Sequence, residues 1–168
     1  MAIYYADGSN SGDGRIIQVV RGHISGDNTR SQTNAPNAWK KNVSATDQVA
    51  QVYFTPKAAT SKLLLVATGN YYFITGTEGH AGEAQVRIFD NTSSNEVAKM
   101  QKVGYSHTGG HNRDGDNWTL TALLEADHNS NGTNQRLYWT EYWFDGNQTF
   151  YYGQQGDSIT VYEISASS

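Results

Sequence analysis

Apolar side chains in this chain recur at every second residue, and almost nowhere at the three-to-four spacing of a helix. A period of two places alternate side chains on opposite faces of a strand, so it commits the chain to sheets. The segment 83–90 is the clearest instance: Ala84, Val86 and Ile88 alternate with Glu83, Gln85 and Arg87. The segment 49–55 does the same, with Val49, Gln51 and Tyr53 set against Ala50, Val52 and Phe54. Further strands are expected over 15–23, 62–74, 96–103, 118–125, 135–144, 149–152 and 158–164. Gly69-Asn70 is either a bulge within one long strand or a turn between two. The short stretches 45–51 and 122–127 are the best helical candidates, and they read better as a loop entering a strand and as a strand end. Nine or ten short strands separated by Gly, Asn, Ser and Asp predict an all-β, antiparallel β-sandwich of jelly-roll type. At 168 residues the expectation is one domain, 1–168, with a short N-terminal extension over about 1–14.

Composition narrows the class further. Charged residues make up 17% of the chain, below the roughly 25% of an average domain. Eleven Tyr, four Trp and five Phe suit pleated, half-buried surfaces. A net charge of −4 without a dense Lys/Arg face argues against nucleic acid as a partner. Cysteine is absent, which excludes disulfides and thiolate chemistry. The opening residues carry no signal-peptide pattern. The longest apolar run, Leu63 to Ala67, is far short of the roughly 20 residues of a membrane helix. No cofactor and no membrane insertion are expected.

The segment 135–144 departs from simple alternation. Leu137, Trp139 and Trp143 share one face with Glu141, while Tyr138, Tyr142 and Phe144 share the other with Thr140. Aromatic side chains on both faces imply burial on both. One face belongs to the core, and the other lies either against a second subunit, where Tyr, Trp and Phe are enriched, or under a loop. Tyr138, Tyr142 and Phe144 are the residues assigned to the oligomer interface.

Two stretches, 24–38 and 105–117, are polar, Gly-rich and expected to be structureless. Loops of this length are uncommon unless functional. Together with the adjoining Trp118, the second supplies the candidate ligand-binding residues Tyr105, His107, His111, Asp114, Asp116 and Trp118. Rings together with carboxylates and imidazoles suit sugar recognition by stacking and hydrogen bonding. A metal site is not assigned: two histidines four apart converge on a helix, but Gly109-Gly110 forbids one here. Nucleophilic catalysis lacks its elbow motif. A carboxylate pair such as Glu141 with Glu163 suits glycoside hydrolysis only if the two converge, and outward salt partners are the better reading. No catalytic residues are assigned, and the chain is read as a binding module rather than an enzyme.

Three stretches carry a resemblance. They are Tyr4-Tyr5-Ala6-Asp7-Gly8 with Gly14-Arg15-Ile16-Ile17-Gln18-Val19-Val20; Val52-Tyr53-Phe54-Thr55-Pro56 leading through Ser61-Lys62 into Leu63-Leu64-Leu65-Val66; and Gly156-Asp157-Ser158-Ile159-Thr160-Val161-Tyr162-Glu163-Ile164. Together they resemble small virion proteins and tail-fibre or head-fibre domains of marine bacteriophages, cyanophages in particular. The resemblance implies a jelly-roll-like sandwich, commonly a homotrimer, without enzymatic activity. It implies a place on the virion surface after assembly in the host cytoplasm, with other virion proteins and a host surface glycan as partners. Its motifs fix strand starts and turns and assign no site.

Overall fold

A computed structural model of the chain describes residues 14–25, 30–33, 38–44, 48–75, 81–105, 112–128, 132–145 and 149–165. Eleven strands lie among them: β1 Ile16–His23, β2 Arg30–Thr33, β3 Lys40–Lys41, β4 Gln51–Phe54, β5 Lys62–Thr75, β6 Ala81–Asp90, β7 Asn95–Tyr105, β8 Asn112–Glu125, β9 Arg136–Asp145, β10 Thr149–Tyr152 and β11 Ser158–Ile164. All pairings are antiparallel. The first sheet runs β1-β11-β5-β8, with β10 and β2 continuing beside the far half of β5. The second runs β4-β9-β6-β7, with β3 beside β4 on the same edge of β9. When β1, β4, β5, β6, β7, β8, β9 and β11 are counted in chain order, the sheets read 1-8-3-6 and 2-7-4-5. That interleaving of two Greek keys is the jelly roll.

The alternation places the core as expected. Ala84, Val86 and Ile88 on β6, Val52 and Phe54 on β4, and Leu63, Leu65 and Ala67 on β5 all point inward and are buried. Ile159 and Val161 on β11 join them from the first sheet. Tyr53, between the two inward residues of β4, is 56% exposed. The backbones of the two sheets approach closely at Gly22 of β1. A Cβ there would stand 1.6 Å from the carbonyl oxygen of Gln51 on β4.

Three expectations change. Gly69-Asn70 is neither bulge nor turn, because β5 runs straight through it, paired residue for residue with β8 from Lys62↔Glu125 to Thr75↔Asn112. The stretch 24–38 is not structureless, since Arg30–Thr33 pairs with β10. In 105–117, β7 extends to Tyr105 and β8 begins at Asn112. In each case a partner strand supplies the ladder that local composition does not announce.

Candidate functional site

The first sheet opens where β10 and β11 part along β5. β11 pairs with β5 as far as Ser158↔Thr68, and β10 takes over at Tyr151↔Tyr72. Between them residues 153–157 leave the ladder. Gly153 allows the departure: its φ is 71°, and a Cβ would meet the Val43 carbonyl oxygen at 2.2 Å. The detour is tied back by Ile24, whose N–H donates to the Asp157 carbonyl (2.8 Å) while its own carbonyl accepts from Gly156 N–H (2.9 Å).

Asp157 is the pin at this point. Its carboxylate is fully buried. Oδ1 accepts from the Asn70 N–H at 3.0 Å. Oδ2 accepts from the Gln154 N–H at 3.2 Å and from Asn42 Nδ2 at 3.2 Å. The Tyr142 hydroxyl has one proton to give. It lies 3.1 Å from the Asn70 carbonyl oxygen and 3.3 Å from Asp157 Oδ2. Burial pushes the Asp157 carboxyl up to about 6, against the four donors that pull it down. Loss of water outweighs them, as it does for carboxyls taken deep into a fold. Burial first, and then the Asp157 charge, push the Tyr142 hydroxyl well above its ordinary range.

Above the pin lies a groove of about 360 Å³, lined by Asn70, Tyr71, Tyr72, Asp116, Asn117 and Gln154. Asn70 and Gln154 are thus held by one carboxylate through their backbone N–H groups. Tyr72 stacks on Tyr151 across the β5–β10 pair, with ring centroids 4.5 Å apart and planes within 8°. Asn70 Oδ1 is buried and has no hydrogen-bond partner among the described residues.

The candidate residues of 105–118 divide. Asp116 lines the groove. Trp118 does not belong to a recognition loop: it is 3% exposed, points inward across from Gly69, and donates from Nε1 to the Tyr142 hydroxyl at 3.0 Å. A Cβ on Gly69 would stand 2.5 Å from its ring. Tyr105 and Asp114 lie on β7 and β8, and His107 and His111 fall outside the described residues. Among the described residues no three His, Asp or Glu side chains gather as a metal cluster would require. Sequence reasoning missed Asn70, Tyr72, Asn117 and Gln154. Their convergence depends on contacts far apart in the chain: Asn70 pairs with Asn117 across β5 and β8, and its N–H meets the Asp157 carboxylate 87 residues on.

The interface assignment is also corrected. Tyr138, Tyr142 and Phe144 are the inward face of β9 and are buried by the chain itself. Tyr142 and Phe144 pack against Phe150 at 5.7 and 4.3 Å between ring centroids. The outward face is the other phase, Leu137, Trp139, Glu141 and Trp143. Cations cover part of it. The Lys41 ammonium sits 3.8 Å over the Trp139 ring, and the Arg87 guanidinium lies over Trp39 and Phe89 at 4.2 and 4.5 Å. Arg87 pairs with Glu141 at 2.6 Å, and Trp139 Nε1 donates to the same carboxylate at 2.8 Å. Glu163 lies on the other sheet, buried, and accepts from the N–H groups of Lys57 and Ala58. Glu141 and Glu163 therefore do not form a hydrolytic pair.

No family model matches the chain, and no curated protein matches it. Solved structures similar to it are remote. The Eiger tumour-necrosis-factor protein of S. frugiperda is 10% identical with a TM-score of 0.43, over 92% of this chain and 96% of that one. A lipoprotein of Bacteroides thetaiotaomicron is 13% identical with a TM-score of 0.45, over 98% and 100%. A chain of infectious bursal disease virus, Gt strain, is 12% identical with a TM-score of 0.40; this chain is covered to 99% and spans 43% of the viral one.

Proposed function

We propose that this chain is a non-enzymatic subunit of a bacteriophage particle surface, a tail-fibre or capsid-fibre module that works as a homo-oligomer. One observation carries the self-association. Val19, Tyr162, Leu64 and Leu123 are cross-strand neighbours in register on β1, β11, β5 and β8, and they form an apolar row across the outer face of the first sheet. Val19 and Leu123 are 53% and 60% exposed. A contiguous apolar band on a sheet face is the usual mark of a protein contact. Mixed rows flank it: Arg21, Thr160, Val66 and Thr121 on one side, and Ile16, Ile164, Lys62 and Glu125 on the other. Ile16, 44% exposed, extends the apolar surface at the β1 edge. The phage assignment comes from the sequence motifs, and the jelly roll suits it.

The test has two arms. Light scattering on the purified protein should give a mass near three times 18.5 kDa, and Leu123→Arg should reduce it to that of one chain while the circular dichroism stays that of a sheet protein. Antibody labelling of particles should place the protein on head or tail. A monomeric wild-type chain, or unlabelled particles, defeats the proposal. The second reading is a lectin-like module outside any virion. It is favoured by the groove over Asp157, and a monomer that binds sugar would support it.

A further inference from the structure

We infer that the groove between β5, β8 and the 153–157 detour is a binding site for a neutral saccharide, held by Asn70, Asn117, Asp116, Gln154 and Tyr72, whose ring is braced from behind by Tyr151. Its described lining argues against the other ligand classes in turn. Among the described residues no Lys or Arg lines it, so a phosphate or sulfate finds no counter-charge there. No aliphatic side chain is among the described lining residues, so an acyl chain or apolar peptide side chain gains little by entering. The single carboxylate among them, Asp116, is too few for a hard cation, which takes six or more oxygens. What remains is three primary amides and one carboxylate beside Tyr71 and Tyr72, which suits a ligand rich in hydroxyl groups with C–H faces between them. The volume of about 360 Å³ lies at the small end of the usual range for small-molecule sites.

Two features make this a built site rather than a surface dent. Asn70 and Gln154 are fixed from beneath by the two oxygens of one buried carboxylate, so the groove is organised before any ligand arrives. Asn70 also keeps a buried amide oxygen with no hydrogen-bond partner among the described residues. A buried acceptor left unpaired costs free energy; this oxygen is closed to solvent as the groove stands, so a ligand hydroxyl reaches it only once the Asn70 side chain turns, and that donation removes the cost. Trp39, Trp139 and Trp143 are not part of this site, since they belong to the outer face of the second sheet.

The inference stands whether the module sits on a particle or works alone, so it and the assembly proposal fail separately. Isotope-labelled protein is titrated with maltotriose, cellotriose, mannotriose, lactose and diacetylchitobiose, with sialyllactose as the charged control. The expected result is that a neutral sugar shifts the backbone amides of Asn70, Asn117 and Gln154 in a saturable manner. Asn117→Ala and Gln154→Ala each weaken that binding by about tenfold, while Trp143→Ala leaves it unchanged. Asn117 is exposed, so its variant keeps the fold, which an unchanged thermal midpoint verifies. The inference is overturned if none of the neutral sugars shifts the groove amides. It is equally overturned if sialyllactose alone does, or if the shifts map to the second sheet and survive both groove substitutions.

Discussion

The indole N–H of Trp118 donates to the hydroxyl of Tyr142 at 3.0 Å, and that bond joins the two sheets across the core. Trp118 stands on β8 of the first sheet and Tyr142 on β9 of the second, with their rings edge-on at 5.9 Å. Tyr142→Phe keeps the rings packed but leaves the buried Trp118 donor without its acceptor. A loss of about 1–3 kcal/mol in urea unfolding is expected. Trp118→Phe leaves the Tyr142 hydroxyl close to Asn70 and Asp157, so the double-mutant cycle should show clear coupling. Additive losses would mean that the bond carries nothing.

Asp157 sets a pH dependence of definite sign. Its folded value of about 6 stands above its ordinary 3.8, so the folded chain binds this proton more tightly than the unfolded chain. Its contribution is fully present below pH 3.8 and is lost as pH rises through 6, a swing of about 3 kcal/mol. Other carboxylates titrate as well, so the contrast with Asp157→Ala isolates the group. That substitution should cost more stability at pH 4 than at pH 7. A cost that is equal at both, or larger at pH 7, contradicts the burial-driven shift.

Gly22→Ala is expected to be among the most damaging single-methyl additions in the chain. The new Cβ would fall 1.6 Å from a main-chain oxygen of the opposite sheet, and no rotamer relieves a clash with backbone. The loss should exceed the 1–3 kcal/mol typical of overpacked cores, read as insoluble protein or a collapsed thermal midpoint. Gly132→Ala is the control. Open space surrounds that position, and only its positive φ of 52° resists the substitution.

Arg87 and Glu141 make a sheltered pair, with side chains 16% and 11% exposed. Nε and Nη2 of Arg87 both reach Glu141 Oε2, at 2.7 and 2.6 Å. Arg87→Ala strands the carboxylate with Trp139 Nε1 and also uncovers the Trp39 and Phe89 rings, for a cost of about 2–4 kcal/mol. Arg87→Lys should recover less than half of it, because an ammonium cannot span the same oxygen and both rings. Full recovery by Lys would reduce the role of Arg87 to plain charge.

The sheet content was legible because period-two alternation is local. Ala84, Val86 and Ile88 announce their own face. The phase of β9 was not, because rings occupy both faces and periodicity says which residues travel together, not which side is inside. A signal was present in the neighbouring strand. The polar phase of 83–90 holds Arg87, the aromatic phase containing Leu137 and Trp139 holds Glu141, and the two are in register. Pairing those opposite charges would have turned the Trp face outward and sent Tyr138, Tyr142 and Phe144 into the core. Asp116 was legible as a site residue through composition alone. Asn70 and Gln154 were not, since neither is unusual until Asp157 gathers them.

The pairing of β1 with β11, from Ile16↔Ile164 to His23↔Ser158, has a consequence for how the molecule is made. Of the described strands, the first to leave the ribosome can find its inner neighbour only after the last of them has emerged. Until then the edge of β5 that β11 covers stays open, and the chain must be kept from pairing with its own copies. Closing so long a loop before any sheet is complete places folding at the slow, millisecond-to-second end of the range for small domains.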